Sequence, residues 1–177
     1  MHIRQIAVQY DVDADRLLLR VRTADEQLFA VWLTRRLCLR LWPHLESLVQ
    51  RVGAAQALAQ AAPLAVATPQ ASAMLADTAR ERTLAQADFS QRFEVAPTAQ
   101  QPLGTQPLLA HTVQMTPLAQ GRLQVAIRDA QQRSVQLERD ASMAIAVREL
   151  MVTALRQADW GLALDAPALQ AEPHVLN

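Results

Sequence analysis

At 177 residues the chain has room for one domain, or for two small halves sharing a core, and its 51% apolar content is ample for a packed interior. Its 17 basic and 17 acidic residues give a formal charge of zero, which argues against bulk attraction to nucleic acid or to an anionic membrane. A single cysteine, no run near the roughly 18 apolar residues of a membrane span, and no basic-then-apolar leader point to a cytoplasmic protein without an intrachain disulfide.

All the basic residues are arginine, and with the abundant Ala, Gln and Leu this usage points to a GC-rich bacterial genome. Aromatic residues are only 4%, so the core has to be built from Leu, Val, Ile, Met and Ala. The chain opens with alternation: Ile6, Val8 and Tyr10 share one face, and Asp11 to Asp15 form a polar turn. Leu17, Leu19 and Val21 follow, then a turn over 23–27, then Phe29, Val31 and Leu33. Period-two patterning broken by Asp-rich turns predicts an antiparallel meander of three strands.

At Thr34, a residue suited to capping a helix, the period changes. Leu37, Leu41, Leu45, Leu48, Val49 and Val52 recur at helical spacing, with Pro43 expected to kink the helix or restart it. The uncharged Ala, Gln and Pro stretch 53–71 reads as a linker, with the helix able to run on as far as Ala62. Ser72 to Phe89 is expected to be a second helix capped by Ser72, and 94–107 a Pro-containing loop. Leu109 to Met115 reads as a strand and Pro117 to Gly121 as a turn. Leu123, Val125 and Ile127 then alternate, as do Val135 and Leu137 after the turn 129–133. A last helix is expected from about Ser142, with Gly161 as its stop.

Arg16 to Arg22 overlays on Arg122 to Arg128 with coincident five-residue turns. Either the chain duplicates a strand-strand-strand-helix unit, or two hairpins simply share a period. The expected class is therefore α+β, with two antiparallel three-stranded meanders each followed by a helix. The expected organisation is a first half over 1–52, a linker over 53–71 and a helix and loop over 72–107. A second half over 108–161 and a tail over 162–177 complete it.

Chemistry-bearing motifs are few. Asp11, Asp13 and Asp15 match the first ligands of a calcium loop, but Arg16 and Arg22 stand where the loop needs Gly and a bidentate Glu. His2, His44, His111 and His174 lack the spacing of a zinc site, and four glycines supply no phosphate cradle. No metal, no cofactor and no catalytic residue is expected. An enzyme would need a site assembled from distant segments around Cys38 or His111, and Cys38 reads as a small buried helix residue.

The segments Tyr10-Asp11, Asp15 to Val21, Trp32 to Leu37 and Leu41-Trp42-Pro43 resemble a family of uncharacterised proteobacterial proteins, as do Leu84 to Phe89 and Ala154 to Trp160. The resemblance implies no activity. The element order is also similar to the head domains of scaffold proteins of DNA end joining and centriole assembly. In those the last helix extends into a dimeric coiled coil, whereas Gly161 and Pro167 end it early here.

The function expected from the sequence is a non-catalytic protein-protein interaction or scaffold module, acting as a homodimer or with another protein. Ile145, Met151, Val152 and Leu155 on the last helix are the candidate dimer face, because that helix is apolar on more than one side. The alternative is a single-stranded nucleic-acid-binding protein. It would use Arg20 and Arg22 on a sheet face beside Trp32, together with Arg35, Arg36 and Arg40 on the helix.

Overall fold

The computed structural model describes residues 2–61, 68–87, 91–94 and 99–164. Strands β1 (Ile3–Asp11), β2 (Arg16–Thr23) and β3 (Leu28–Thr34) form the opening antiparallel meander. Its alternation is the expected one: Val8, Leu17, Leu19, Val21, Phe29, Val31 and Leu33 are all buried on one face. Full burial of a side chain such as Leu17 or Val31 is worth about 1.5–3 kcal/mol, so a one-residue slip of register would be costly.

Helix α1 (Arg35–Ala61) begins where Thr34 Oγ1 accepts the amide of Leu37 at 3.3 Å. It is one helix with Pro43 inside it, so the restart expected at the proline does not occur. It also takes in 53–61, half of the stretch expected to be a linker, whose residues 62–67 lie outside the described set. Ala and Gln are good helix formers, and smallness here is what packing requires. A Cβ on Gly53 would sit 3.7 Å from both Ala79 Cβ and Ile145 Cδ1, so this point of α1 nearly touches two other helices.

Helix α2 (Pro69–Gln86) is capped by Thr68, whose side chain accepts from Ala71 N at 3.3 Å, and not by Ser72. Pro69 occupies the first turn, where its missing N–H costs nothing. The helix ends at Gln86, and the remainder of the span expected up to Phe89 lies largely outside the described residues.

The stretch expected to be one strand from Leu109 to Met115 divides between two sheets. β4 (Leu108–Leu109) pairs in parallel with β3, giving a four-stranded mixed sheet in the order β1-β2-β3-β4. β5 (Thr112–Pro117), β6 (Arg122–Arg128) and β7 (Ser134–Asp140) form a separate antiparallel sheet. The fold is thus α+β with two sheets, and not two matching three-stranded meanders each followed by a helix. The local periods of β2 and β6 do agree, but strand addition from the second half makes the sheets unlike.

Helix α3 (Ala141–Ala158) starts with Asp140 as N-cap, its carboxylate accepting Met143 N at 2.9 Å. It stops at Asp159, in the left-handed conformation with φ 48°, two residues before the glycine expected to end it. The inner faces of both sheets, the Leu37–Val52 stripe of α1 and the Ala141–Leu155 stripe of α3 share one hydrophobic core. No helix among the described residues is long and apolar enough to cross a membrane.

Candidate functional site

The five arginines expected to make one basic surface are divided among three places. Arg20 and Arg22 do project from the outer face of the first sheet, as alternation requires. Residues 92–94 lie across that face. Arg22 is only 5% exposed and donates Nη1 to the carbonyl of Glu94 at 2.7 Å. The Arg20 guanidinium stacks on Phe93, 4.6 Å from the ring centroid, and burial lowers its pKa. Gln5 fixes the same strip, donating to the Arg92 carbonyl and accepting from the Glu94 amide, each at 3.3 Å. The sheet face is thereby covered by its own chain.

Arg35 turns the other way, donating to the Trp160 carbonyl at 3.4 Å. Trp160 in turn donates Nε1 to Asp15 at 2.7 Å and meets Tyr10 edge-on, with ring centroids 5.8 Å apart. The Tyr10 hydroxyl also donates to Asp15, at 2.9 Å. Hydrogen bonds from Trp160 and Tyr10 hold the Asp15 carboxyl below its usual range. Thus the third aspartate of the calcium-like run is a tie between the first hairpin and the segment after α3. Among the described residues no group of three or more His, Cys, Asp or Glu is placed to hold a metal ion.

Arg36 and Arg40 remain, one helical turn apart at the start of α1, and both exposed. With Thr34 and Leu37 they form one wall of a cleft of about 470 Å³, whose other walls are Leu109, Ala110 and His111 and the turn residues Ala130 and Gln131. Its position follows from the topology. Ala110 N donates to the Trp32 carbonyl in the first sheet at 2.9 Å, and the next amide, His111 N, donates to Arg128 in the second at 2.8 Å. The chain steps between sheets at this point, and the step leaves a groove beside the first turns of α1.

The far wall is built from a buried carboxylate. Asp129 accepts the amide of Arg133 at 2.8 Å and its Nε at 2.6 Å, while Arg133 Nη1 donates to the Leu103 carbonyl at 2.7 Å. Burial alone would push the Asp129 carboxyl up, but the Arg133 hydrogen bonds and charge outweigh it and hold it low. A rigid turn therefore presents Ala130 and Gln131 to the cleft. Among the described residues, the lining holds two guanidinium groups and an imidazole, and no carboxylate side chain. Leu109 adds an exposed apolar edge.

The remaining sequence candidates are enclosed. Cys38 has no exposure, and burial pushes its thiol up to about 12, so it supplies no thiolate at neutral pH. Ile145, Met151, Val152 and Leu155, the candidate dimer face, are each at most 4% exposed and belong to the core of the single chain. The breadth of the apolar surface on α3 is used up by two sheets and two neighbouring helices. His111 reaches the cleft; what brings it to Arg36 and Arg40 is the crossover between sheets, which no local pattern announces. No protein-family model, curated protein or solved structure matches this chain.

Proposed function

We propose that this protein is a non-catalytic interaction module that receives an acidic segment of a partner protein in the cleft between the start of α1 and His111. The observation that carries the reading is the cleft itself: about 470 Å³, within the roughly 300–1,000 Å³ of ligand-binding clefts, and lined by Arg36, Arg40 and His111. The adjoining helix N-terminus has no acidic residue in its first turn, so the helix dipole adds to the positive potential. Apolar contact from Leu109 beside guanidinium groups is the composition expected of a protein-protein contact.

A protein partner is favoured over single-stranded nucleic acid by two features. Among the described residues no aromatic ring lines the cleft to stack on a base. The arginines that would extend it into a basic track, Arg20 and Arg22, are held under residues 92–94. A non-catalytic role accords with the lining, in which the described residues place no cysteine, serine or acid beside His111. Self-association through the Ile145–Leu155 face forms no part of the proposal, because those side chains are already spent inside the chain.

The test is fluorescence anisotropy with a labelled peptide of alternating Glu and Leu, against a labelled single-stranded oligonucleotide, at low and physiological salt. The peptide should bind, and replacing Arg36 and Arg40 together by Ala should weaken it about tenfold or more, each exposed pair being worth up to about 1 kcal/mol. Tighter binding of the oligonucleotide with a steep salt dependence would transfer the cleft to the nucleic-acid reading. Absence of binding by either probe, or binding indifferent to both arginines, would reject the cleft as a contact surface.

A further inference from the structure

The strip 92–94 lies on the first sheet as a bound peptide would. Antiparallel register sets Gln5 of β1 against Arg22 of β2 and Ala7 against Arg20, so Gln5, Arg20 and Arg22 stand together on the outer face. Gln5 holds main-chain atoms two residues apart: its nitrogen donates to the Arg92 carbonyl and its oxygen accepts the Glu94 amide. Arg22 holds a third main-chain atom, the Glu94 carbonyl. Only Phe93 is gripped by its side chain. Arg20, steadied by a 2.5 Å hydrogen bond to Gln9, has small neighbours in Ala7 and Ala30 on the flanking strands, and its guanidinium lies over the Phe93 ring.

This cover is incompletely matched to what lies beneath it. Among the described residues no backbone-to-backbone hydrogen bond joins 91–94 to the sheet. Arg92 and Glu94 are exposed, and Phe93 is half-buried. Arg22 is buried, yet its Nε has no hydrogen-bond partner among the described residues; the Glu26 carboxylate lies 3.9 Å away and is bridged to Arg4 at 2.9 Å. Arg20 Nε is likewise buried and unpaired there. Buried donors left without partners are costly, so the strip occupies this face without satisfying it. We infer that the outer face of the first sheet is a peptide-receiving site, filled in cis by residues 92–94 and open to an extended, aromatic-bearing segment of a partner protein.

The contacts themselves define the occupant. Three of the four partners on the strip are main-chain atoms that any extended peptide carries, and the fourth is an aromatic ring set against a guanidinium. Gln5 decides between a peptide and a nucleic acid. Its donor and acceptor match a C=O and an N–H along one strand, whereas phosphodiester linkages offer acceptors only. No residue of this face lines the basic cleft at the start of α1, so the two readings stand or fall separately.

The experiment is an NMR titration of the full chain with the peptide Gln-Arg-Phe-Glu, acetylated and amidated, followed at the Gln5 side-chain amide and the Arg20 Nε–H. Phe93→Ala loosens the strip without touching the core. The peptide should bind this variant about fivefold more tightly than the unaltered chain, because the open face is then more populated. In the same background, Arg20→Gln, or alanine in place of the peptide's phenylalanine, should weaken binding about fivefold. Equal affinity for the variant and the unaltered chain, or indifference to the peptide's aromatic residue, would overturn the inference. So would tighter binding of a single-stranded oligonucleotide at the same signals, or no saturable shift in the Phe93→Ala chain. A dimer of the unaltered chain that the peptide dissolves would also overturn it, by assigning the face to strip exchange between copies.

Discussion

Arg148 is the side chain on which the three helices converge. Its Nε donates to Glu46 of α1, its Nη1 donates to Glu149 at 2.7 Å, and its guanidinium lies over Trp42, 5.3 Å from the ring centroid. Arg80 brings in α2, donating to the same Glu149 at 2.8 Å. Glu46 and Arg148 are both buried, so removing one leaves the other as an uncompensated charge. Glu46→Ala should therefore lower stability by about 2–4 kcal/mol, read from the urea midpoint, whereas Glu46→Leu combined with Arg148→Met should recover most of it. The pH dependence runs through Glu149. Burial pulls its carboxyl up, but Arg80 and Arg148 prevail and hold it below the usual range. Its folded pKa thus lies under the unfolded value of about 4.3, so its stabilisation is complete above that value and lost as pH falls through the folded one. A Glu149→Gln variant should flatten the loss of stability below about pH 4.3, and an unchanged acid limb would remove Glu149 from this role.

At the scale of elements, the stretch expected to be a linker supplies the end of α1 on which a distant turn is seated. The Ala- and Gln-rich run after Val52 has no apolar stripe, and composition alone gave it the look of a linker. Its structural use is closeness. Gly121, at φ 70° in the turn between β5 and β6, sits so near α1 that a Cβ there would lie 2.6 Å from Val52 O and from Gln56 N. The turn at 117–121 was legible from its Pro and Gly. Its seat on α1 was not, because that seat exists only if the helix continues. Gly121→Ala should cost about 3–5 kcal/mol, combining left-handed strain with an overpacking clash against backbone that cannot retreat. Gly161 offers the matching control. It also has positive φ, at 73°, but nothing lies within 4 Å of its Cβ direction, so Gly161→Ala should cost only about 1–2 kcal/mol. Similar thermal shifts for the two would mean that the turn does not press on α1 in solution.

Across the whole molecule, what the sequence made legible was local and what it concealed was long-range. Inward faces, the Thr34 cap and the place of α3 follow from periods of two and 3.6 and from capping chemistry, all within a dozen residues. The split of Leu109–Met115 between sheets, the cover that residues 92–94 lay over Arg22, and the meeting of His111 with Arg36 depend on partners dozens of residues away. These same crossings bear on whether the two halves are separate units. β4 from the second half completes the first sheet, α3 packs against β1, and Trp160 closes on Asp15 and Tyr10. Leu17, Val31 and Leu33 are buried in a core that also contains Val113, Ile127 and Met151, so a first half alone would leave the inner face of its sheet in water. The full chain should unfold in one cooperative transition, coincident by circular dichroism and tryptophan fluorescence. Residues 1–61 expressed alone should show no cooperative melt. A cooperative melt of that fragment would mean that the first sheet and α1 carry a sufficient core of their own, and that the seam beside His111 joins two independently folded units.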